Sequence, residues 1–444
     1  MSNRTLPPVA PSARLAPLVL GTVVALAALA TGRAVQESEV QESEVKEADL
    51  RGLAKSLSAW LDARVNKKEK LEKAEEELAD TLAKLSKKLG KDALSLPDAF
   101  GEALWMSRDY EKAKGIRPGR INEVEYPVAD EPFEFAVLTP KKYSAREGPY
   151  PVILCIPEED EDPKTHLTEK WLADELRDNV ILAAPTMPED VAAWSESMVD
   201  GAVGGIGFLL TTYKAVAESY AIDFDRVYLA GWGMAGVETA MLVANYFPDR
   251  FAGVIGRVGD VGDVQPDNFR NLPTLLIGAG SKATEFEKRA KELGYEGCTL
   301  KPEGKDEDVW QWLQGLERVS YPDEVSLVQG RAGFPFRSYW LEVPRSDGQG
   351  DPWIKARLER EANTVHVEAH GIDRVTLYLN DALVDLDQPV KVICNGAQNL
   401  DVVPRSLKTT TQLIFKAVND PGRVFVAERE YSIPAAEEEA ADGG

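Results

Sequence analysis

The chain has 444 residues and a mass of 48.7 kDa, enough for about three domains of roughly 150 residues each. Hydrophobic residues make up 44% and charged residues 28%, as in folded proteins. The 51 basic and 74 acidic side chains give a net charge of −23, which argues against nucleic-acid binding because phosphate neutralisation needs a basic surface. Three cysteines are too few for a disulfide framework or a four-cysteine zinc site, and neither a metal nor another cofactor is expected.

The N-terminus has the layout of an export signal. Residues 15–30 read LAPLVLGTVVALAALA and follow a stretch that carries Arg4 and Arg14 but no acid. This run is shorter than the roughly 20 residues that span a bilayer. We expect residues 1–34 to be a signal peptide, with membrane anchoring through residues 15–34 as the alternative. The rest of the chain would then be extracytoplasmic: periplasmic, secreted or membrane-anchored.

Residues 35–125 are predicted to be an acidic linker followed by helices. Two QESEV repeats at residues 36–45 precede leucines and alanines that recur at helical spacing from Leu50 to Leu89. Five polar residues, Asn66 to Lys70, favour two helices over one. Two interpretations are open: the helices pack on the following domain, or residues 46–92 form a coiled coil that makes the chain a homo-oligomer.

Two further domains are predicted. Over residues 126–320, apolar runs such as PVILCI (151–156) and TLLI (274–277) are predicted strands, and they alternate with predicted helices such as 167–178 and 198–219. This alternation indicates an α/β domain with a mostly parallel sheet and helices on both faces. Residues 321–432 contain about eight short alternating segments separated by turns, residues 412–415 among them, which predicts an all-β, sandwich-like domain. Residues 433–444 are an acidic tail of small residues, expected to be disordered.

The most specific motif is DRVYLAGWGMAG at residues 225–236. A strand that ends in G-x-S-x-G and leads into a helix is a nucleophile elbow, a sharp turn that lifts a serine hydroxyl above the sheet. Here Gly231 and Ala235 stand at the two glycine positions, and Gly233 stands where the serine belongs. The sequence therefore predicts the elbow without its nucleophile.

With the following YFPDRFAG (246–253), this motif resembles α/β-hydrolases of the secreted esterase and peptidase type, near the polyhydroxybutyrate-depolymerase and feruloyl-esterase-like branch. Residues 321–432, above all DRVTLYLN (373–380), look like the β-rich extension of some exported hydrolases. The resemblance implies an α/β-hydrolase fold for residues 126–320. It also implies a catalytic triad in the order serine, acid, histidine.

The other catalytic positions depart from that pattern as well. The family tends to read H-G-x-x-D where this chain reads GAGSKA (278–283), so Lys282 stands near the acid position, and Glu285 comes slightly later. Lys305 follows Gly304 where the family has Gly-His. Pro157 and Glu158 replace the His-Gly of the oxyanion loop, which removes one N–H donor and adds a carboxylate.

The remaining candidates are weaker. A Cys155–His166 pair could form a nucleophile and base, but Cys155 lies inside an apolar strand and His166 is expected on a polar loop. The acidic run Glu158–Asp162 could hold calcium, although it lacks EF-hand spacing. His366 and His370 share a strand face about 13 Å apart, too far for a metal pair.

We therefore expect an exported pseudo-hydrolase whose partner is a protein or a small apolar or acyl ligand. Trp232, Met234, Pro157 and Glu158 are the candidates to line or fill the former cleft. One alternative is an active esterase or peptidase with a relocated site, which would need His366 or His370 to reach the hydrolase cleft. A third interpretation is a structural envelope protein that oligomerises through its N-terminal helices.

Overall fold

A computed structural model of the chain describes residues 45–435 except 109, 111–115, 129–130, 200–201, 331–332 and 347–349. The predicted signal peptide or anchor, the QESEV repeats and most of the acidic tail lie outside the described residues. Within the described part of the chain, no helix is both long and apolar enough to cross a membrane.

Three helices open the described chain: α1 (Glu47–Asn66), α2 (Leu71–Leu89) and α3 (Pro97–Met106). The predicted break between the first two is present, as a short 3₁₀ turn over Lys68–Lys70. Helix α2 ends at Gly90, whose φ of 72° suits glycine because this backbone conformation crowds a Cβ atom.

The apolar faces of these helices are buried within the chain. Leu53, Leu57 and Trp60 of α1 belong to one hydrophobic core with residues of the C-terminal β domain, such as Leu327 and Phe425. The packing partner is therefore mainly the C-terminal domain and not the domain that follows in sequence. A coiled coil would need the same apolar side chains that are buried here against the C-terminal domain. Their burial therefore favours packing within the chain over self-association through these helices.

The middle of the chain forms an eight-stranded, mostly parallel sheet in the order β1-β2-β4-β3-β7-β8-β9-β10. Helices α4 to α9 alternate with its later strands. This strand order, with a helix following the central strand β7, is the α/β-hydrolase arrangement and confirms the expected fold. The bounds are β1 (Ile121–Val128), β2 (Glu131–Leu138), β3 (Tyr150–Ile156), α4 (Pro163–Glu169), α5 (Asp174–Asn179), β4 (Ile181–Pro185), β5 (Met198–Val199), β6 (Ala202–Val203), α6 (Gly205–Ser219), β7 (Ile222–Trp232), α7 (Gly233–Tyr246), β8 (Gly253–Arg257), β9 (Thr274–Ile277), α8 (Ser281–Glu292), β10 (Cys298–Lys301) and α9 (Asp306–Leu313).

Two expected helices differ from the structure. The helix predicted over residues 167–178 is divided into α4 and α5, because the N–H groups of Leu172 and Ala173 bond to the carboxylate of Asp306 instead of to helix carbonyls. The helix predicted from Met198 begins only at Gly205. The preceding residues form the small β5–β6 hairpin.

The C-terminal domain contains two sheets, β11-β14-β15-β17-β18 and β12-β13-β16-β19, whose inner faces share one hydrophobic core. The expected sandwich-like arrangement is confirmed, but residues 412–415, predicted as a strand, lie in helix α10. Thr410, Leu413 and Ile414 are buried there at helical spacing, and Ser406 caps the first turn. The bounds are β11 (Glu324–Val328), β12 (Arg337–Ser338), β13 (Leu341–Glu342), β14 (Trp353–Glu359), β15 (Thr364–His370), β16 (Arg374–Leu379), β17 (Val390–Cys394), β18 (Ala397–Asp401), α10 (Leu407–Lys416) and β19 (Ala427–Ser432).

A buried ion network joins the two sheet domains. The Arg318 guanidinium donates both terminal nitrogens to the Asp420 carboxylate, at 2.6 and 2.9 Å, and also bonds to Asp225. The Arg318 and Asp420 side chains are 0% and 1% exposed. Such a pair fixes geometry strongly because either charge alone would be costly to bury.

Candidate functional site

The elbow predicted from the sequence is present where β7 meets α7. Gly233 has a φ of 70°, the left-handed conformation expected of a residue at a strained strand-to-helix turn. A Cβ atom on Gly231 would lie 2.1 Å from the carbonyl oxygen of Gly236, so strand and helix approach closely only because residue 231 has no side chain. The backbone of a nucleophile elbow is therefore intact.

The space above Gly233 is occupied by Glu158. A Cβ atom built on Gly233 would lie 2.8 Å from Cγ and 3.3 Å from Oε1 of Glu158. The other carboxylate oxygen of Glu158 lies 3.3 Å from Nζ of Lys170, and the Glu158 N–H donates to Glu161. The loop that would supply oxyanion donors thus places a carboxylate over the nucleophile position and uses one of its own N–H groups internally.

Trp232 lies at the centre of a cluster of rings and cations. The guanidinium carbon of Arg257 lies 4.3 Å from the centre of the Trp232 ring, and Nζ of Lys170 lies 5.1 Å from the same point. The rings of His166 and Trp171 meet it edge-on at 6.2 and 6.4 Å. Trp232 is held by cation–π and edge-to-face contacts and fills the space beside the turn.

Arg257 extends from Trp232 to the loop before α9. Its guanidinium bonds to the Asp306 carboxylate at 2.8 Å and to the carbonyl of Gly304 at 3.4 Å. A buried ion pair, Arg257–Asp306, therefore lies between Trp232 and the residues on either side of Lys305.

His166, expected on a polar loop, is a fully buried residue of α4. Its Nδ1 lies 2.7 Å from the Glu161 carboxylate, and its Nε2 is 3.1 Å from the indole N–H of Trp171. The indole N–H of Trp171 can only donate, so Nε2 of His166 must accept. Nδ1 of the neutral ring therefore carries the hydrogen and donates it to a hydrogen bond that the Glu161 carboxylate accepts. Both ring nitrogens are in use, and neither is available as a base for a group at residue 233.

The positions of Lys282 and Lys305 do not converge on Gly233. Nζ of Lys282 pairs with Asp263 at 2.7 Å, and Lys305 precedes α9, where its N–H bonds to Asp308. Asp260, which sequence reasoning missed, is buried beyond the end of β8 and accepts the N–H groups of Lys282 and Ala283. This carboxylate caps the N-terminus of α8, so both of its oxygens accept hydrogen bonds from the helix backbone.

The remaining candidates have structural partners. Cys155 is buried in β3 and contacts the carbonyl of Ile153, and burial raises the pKa of its thiol well above the usual range. His366 bonds to Glu359 and lines a cavity with Arg270 and Tyr295, which precede β9 and β10. That cavity lies at the amino-terminal edge of the parallel strands, whereas Gly233 follows the carboxyl end of β7.

No group of three or more histidine, cysteine, aspartate or glutamate side chains in the described part of the chain is arranged to hold a metal. In the acidic run proposed for calcium, Asp162 caps α4 by accepting the N–H groups of Lys164 and Thr165. Glu161 and Glu158 bind the side chains of His166 and Lys170. Three of the five carboxylates of this run therefore bind groups of the protein itself.

His166 should make stability depend on pH. Burial lowers the pKa of His166, and Glu161 counteracts only part of this. Below about pH 6.5 the unfolded chain therefore binds a proton that the folded chain resists, and stability falls as pH falls, by at most about 1.4 kcal/mol per pH unit. Urea denaturation at pH 7.5 and 5.5 should show a smaller loss in His166→Gln than in the unsubstituted protein. Equal losses would show that His166 is readily protonated in place.

Comparisons with known proteins find similarity among solved structures. No family model and no curated protein matches the sequence. Among solved structures, a thermostable esterase is 15% identical with a TM-score of 0.36, over 46% of this chain and 64% of that one. An S-formylglutathione hydrolase from Agrobacterium tumefaciens is 14% identical with a TM-score of 0.35, and the match covers 44% of this chain and 94% of that one. A ferulic acid esterase is also 14% identical with a TM-score of 0.35, and the match covers 44% of this chain and 96% of that one.

These neighbours are esterases and related hydrolases, and their low scores add nothing on activity. The strand order and the turn at Gly233 are those of an α/β-hydrolase fold. By this strand order and this turn, residues 121–313 have the α/β-hydrolase fold expected from the motif at residues 225–236, and they are joined to a β-rich C-terminal domain.

Proposed function

We propose that this chain is a catalytically inactive α/β-hydrolase-fold protein that acts by binding or scaffolding. The observation that carries the proposal is the carboxylate of Glu158, which lies over Gly233 where a nucleophile would stand. A hydrolase needs a nucleophile, a base and oxyanion donors at that point. In the described part of the chain, Gly233 has no side chain, the nearby His166 has both ring nitrogens in hydrogen bonds, and Glu158 places a carboxylate where oxyanion donors would be needed, so each required function is missing separately.

We further propose that the protein works outside the cytoplasm, on the basis of the apolar run at residues 15–30. Of the two kinds of ligand expected, a protein partner is favoured over an acyl chain in the cleft, because Trp232 and the Arg257–Asp306 pair fill the space beside the turn. Met234, 63% exposed in the first turn of α7, offers an apolar contact next to it.

Restoring the serine should not restore an esterase. We expect Gly233→Ser to hydrolyse short and medium acyl p-nitrophenyl esters no faster than buffer and to resist fluorophosphonate labelling, because no base is positioned to remove the hydroxyl proton. Gly233→Ala is the matched control, since both variants place a Cβ atom against Glu158 at positive φ and only one carries a hydroxyl.

The unsubstituted protein is expected neither to hydrolyse the p-nitrophenyl esters nor to be labelled by the fluorophosphonate probe. Ester turnover with probe labelling by the unsubstituted chain would overturn the proposal in favour of a relocated active site. Turnover by Gly233→Ser but not by Gly233→Ala would show that a base is present after all. If the side chain at residue 233 prevents folding, adding Glu158→Ala removes the obstructing carboxylate and lets the same comparison be made.

A further inference from the structure

A groove runs along α7 where the hydrolase-fold domain meets the C-terminal domain. Its volume of about 890 Å³ is within the range of ligand-binding pockets. We call it the α7–β14 groove, because Asn245 and Tyr246 of α7 and Trp353 of β14 are among the residues that line it. Tyr246 ends α7, about 20 Å along the helix from Gly233 at 1.5 Å per residue. Among the described residues, neither Gly233 nor Trp232 lines the groove, so it is separate from the elbow.

Asn268 ties the two walls of the groove together. Its Oδ1 accepts the backbone N–H of Val328 in β11 at 2.7 Å, and its Nδ2 donates to the carbonyl of the same residue at 3.0 Å. Nδ2 also donates to Oδ1 of Asn245 at 2.9 Å. Trp353 lies opposite Val328 in the ladder between β11 and β14. Asn245 and Trp353 therefore border one groove whose walls are held by hydrogen bonds.

The polar groups that line the groove include both donors and acceptors. Because Oδ1 of Asn245 accepts from a neighbouring amide, its Nδ2 is left as a donor, and it has no acceptor in the described part of the chain. The indole N–H of Trp353 and the ammonium group of Lys355 make no hydrogen bond there either. The carboxylates of Glu238 and Asp351 accept none from described residues. A ligand that matches this lining must both donate and accept hydrogen bonds.

The charges that line the groove nearly cancel. Two of its four carboxylates are already in ion pairs, Asp263 with Lys282 at 2.7 Å and Asp267 with Arg289 at 3.5 Å. The other two carboxylates are offset in part by the ammonium group of Lys355. A lining of this kind favours a neutral polar ligand over a strongly charged one.

Aromatic rings supply part of the apolar lining. Trp353 is half-buried, and Nζ of Lys355 lies 5.4 Å from the centre of its ring. Tyr246 packs on Phe334, with 5.1 Å between the ring centres and 30° between the ring planes. A pyranose sugar suits such a lining, because its C–H face packs on an aromatic ring while its hydroxyl groups both donate and accept hydrogen bonds.

We propose that the α7–β14 groove binds a neutral oligosaccharide, with one sugar ring packed on Trp353 and its hydroxyl groups bonded to the donors and acceptors of the lining. An extended peptide would instead add to the edge strand β11. There the N–H and the carbonyl of Val328 are already bound by Asn268. Because no elbow residue is involved, this proposal stands or falls independently of the proposed loss of catalysis.

Binding is tested by calorimetric titration of the full chain with four neutral hexasaccharides: cellohexaose, xylohexaose, mannohexaose and N-acetylchitohexaose. We expect at least one of them to bind saturably, with a Kd of about 1 mM or lower. Trp353→Ala removes the ring and should lower the affinity for that sugar about tenfold, whereas Trp353→Phe keeps a ring and should lose less. Phe415→Ala is the control, because this ring is 41% exposed on α10, outside the groove, and its loss should leave the affinity unchanged.

Asn245→Asp tests the polar part of the site. The new carboxylate still offers an oxygen to Nδ2 of Asn268 but lacks the free donor, so the affinity should fall about three- to tenfold. The proposal is overturned if none of the four sugars binds saturably at millimolar concentration, or if Trp353→Ala binds as tightly as the unsubstituted protein. If Trp353→Ala does not fold, Asn245→Asp decides, and an unchanged affinity of that variant would contradict the proposal.

Discussion

Replacing Asp420 with alanine is expected to lower the free energy of unfolding by about 3–5 kcal/mol, the typical cost of breaking a buried ion pair. Burial alone would raise the pKa of the Asp420 carboxyl, but the charge and hydrogen bonds of Arg318, together with the charge of Arg423 and the N–H of Gly422, outweigh it and hold that pKa below its ordinary value. The carboxylate is therefore charged and paired at neutral pH. Its removal leaves Arg318, whose side chain is 0% exposed, with only the half-exposed Asp225 as an acidic partner.

Urea denaturation followed by tryptophan fluorescence gives the measurement. Glu47→Ala is the control, because its pair with Arg51 is 72% and 69% exposed and should contribute less than about 0.5 kcal/mol. The double variant Arg318→Met, Asp420→Ala should recover part of the loss, since it removes the Arg318 charge that Asp420→Ala alone would leave without its buried partner. A loss below 1 kcal/mol for Asp420→Ala would mean that water reaches the junction and that the network does not hold the domains together.

The parallel sheet was predictable because its strands are short apolar runs separated by helical periods. PVILCI and TLLI became β3 and β9, and the elbow was recognisable because its glycines are required locally. Residues 412–415 were misassigned because four residues do not distinguish a strand from the buried side of a helix. The packing of α1 on the C-terminal domain joins residues far apart in sequence, which no local pattern records.

The sequence shows which catalytic residues the candidate site lacks, but it does not show which side chains fill the site instead. The glycine at position 233 and the lysine at position 305 can be recognised because the surrounding motif marks where the serine and the histidine of the family would stand. Arg257, Asp306 and His166 come from three separate segments, and their contacts depend on how the strand ends meet. The one available signal was that charged residues follow β3, β8 and β10, at the edge where the carboxyl ends of parallel strands converge.

The second large effect is expected from Gly231→Ala. The added methyl carbon would lie 2.1 Å from the carbonyl oxygen and 2.4 Å from the carbonyl carbon of Gly236, and 2.6 Å from the nitrogen of Val237. All three are backbone atoms in the first turns of α7, so no side-chain rotation can relieve the contact, and the helix must move away from β7. We expect a loss of about 3 kcal/mol or more in the free energy of unfolding.

The matched control for this loss is Gly52→Ala, also a glycine-to-alanine change, at an exposed position inside α1 with no atom within 4 Å of the new carbon. It should raise stability by about 0.5–1 kcal/mol, because alanine favours the helix more than glycine does. If Gly231→Ala were tolerated as well as Gly52→Ala, strand and helix would not be closely packed at the elbow. The elbow would then be held by Glu158, Trp232 and the Arg257–Asp306 pair above it, and the filled site itself would maintain the fold of the turn.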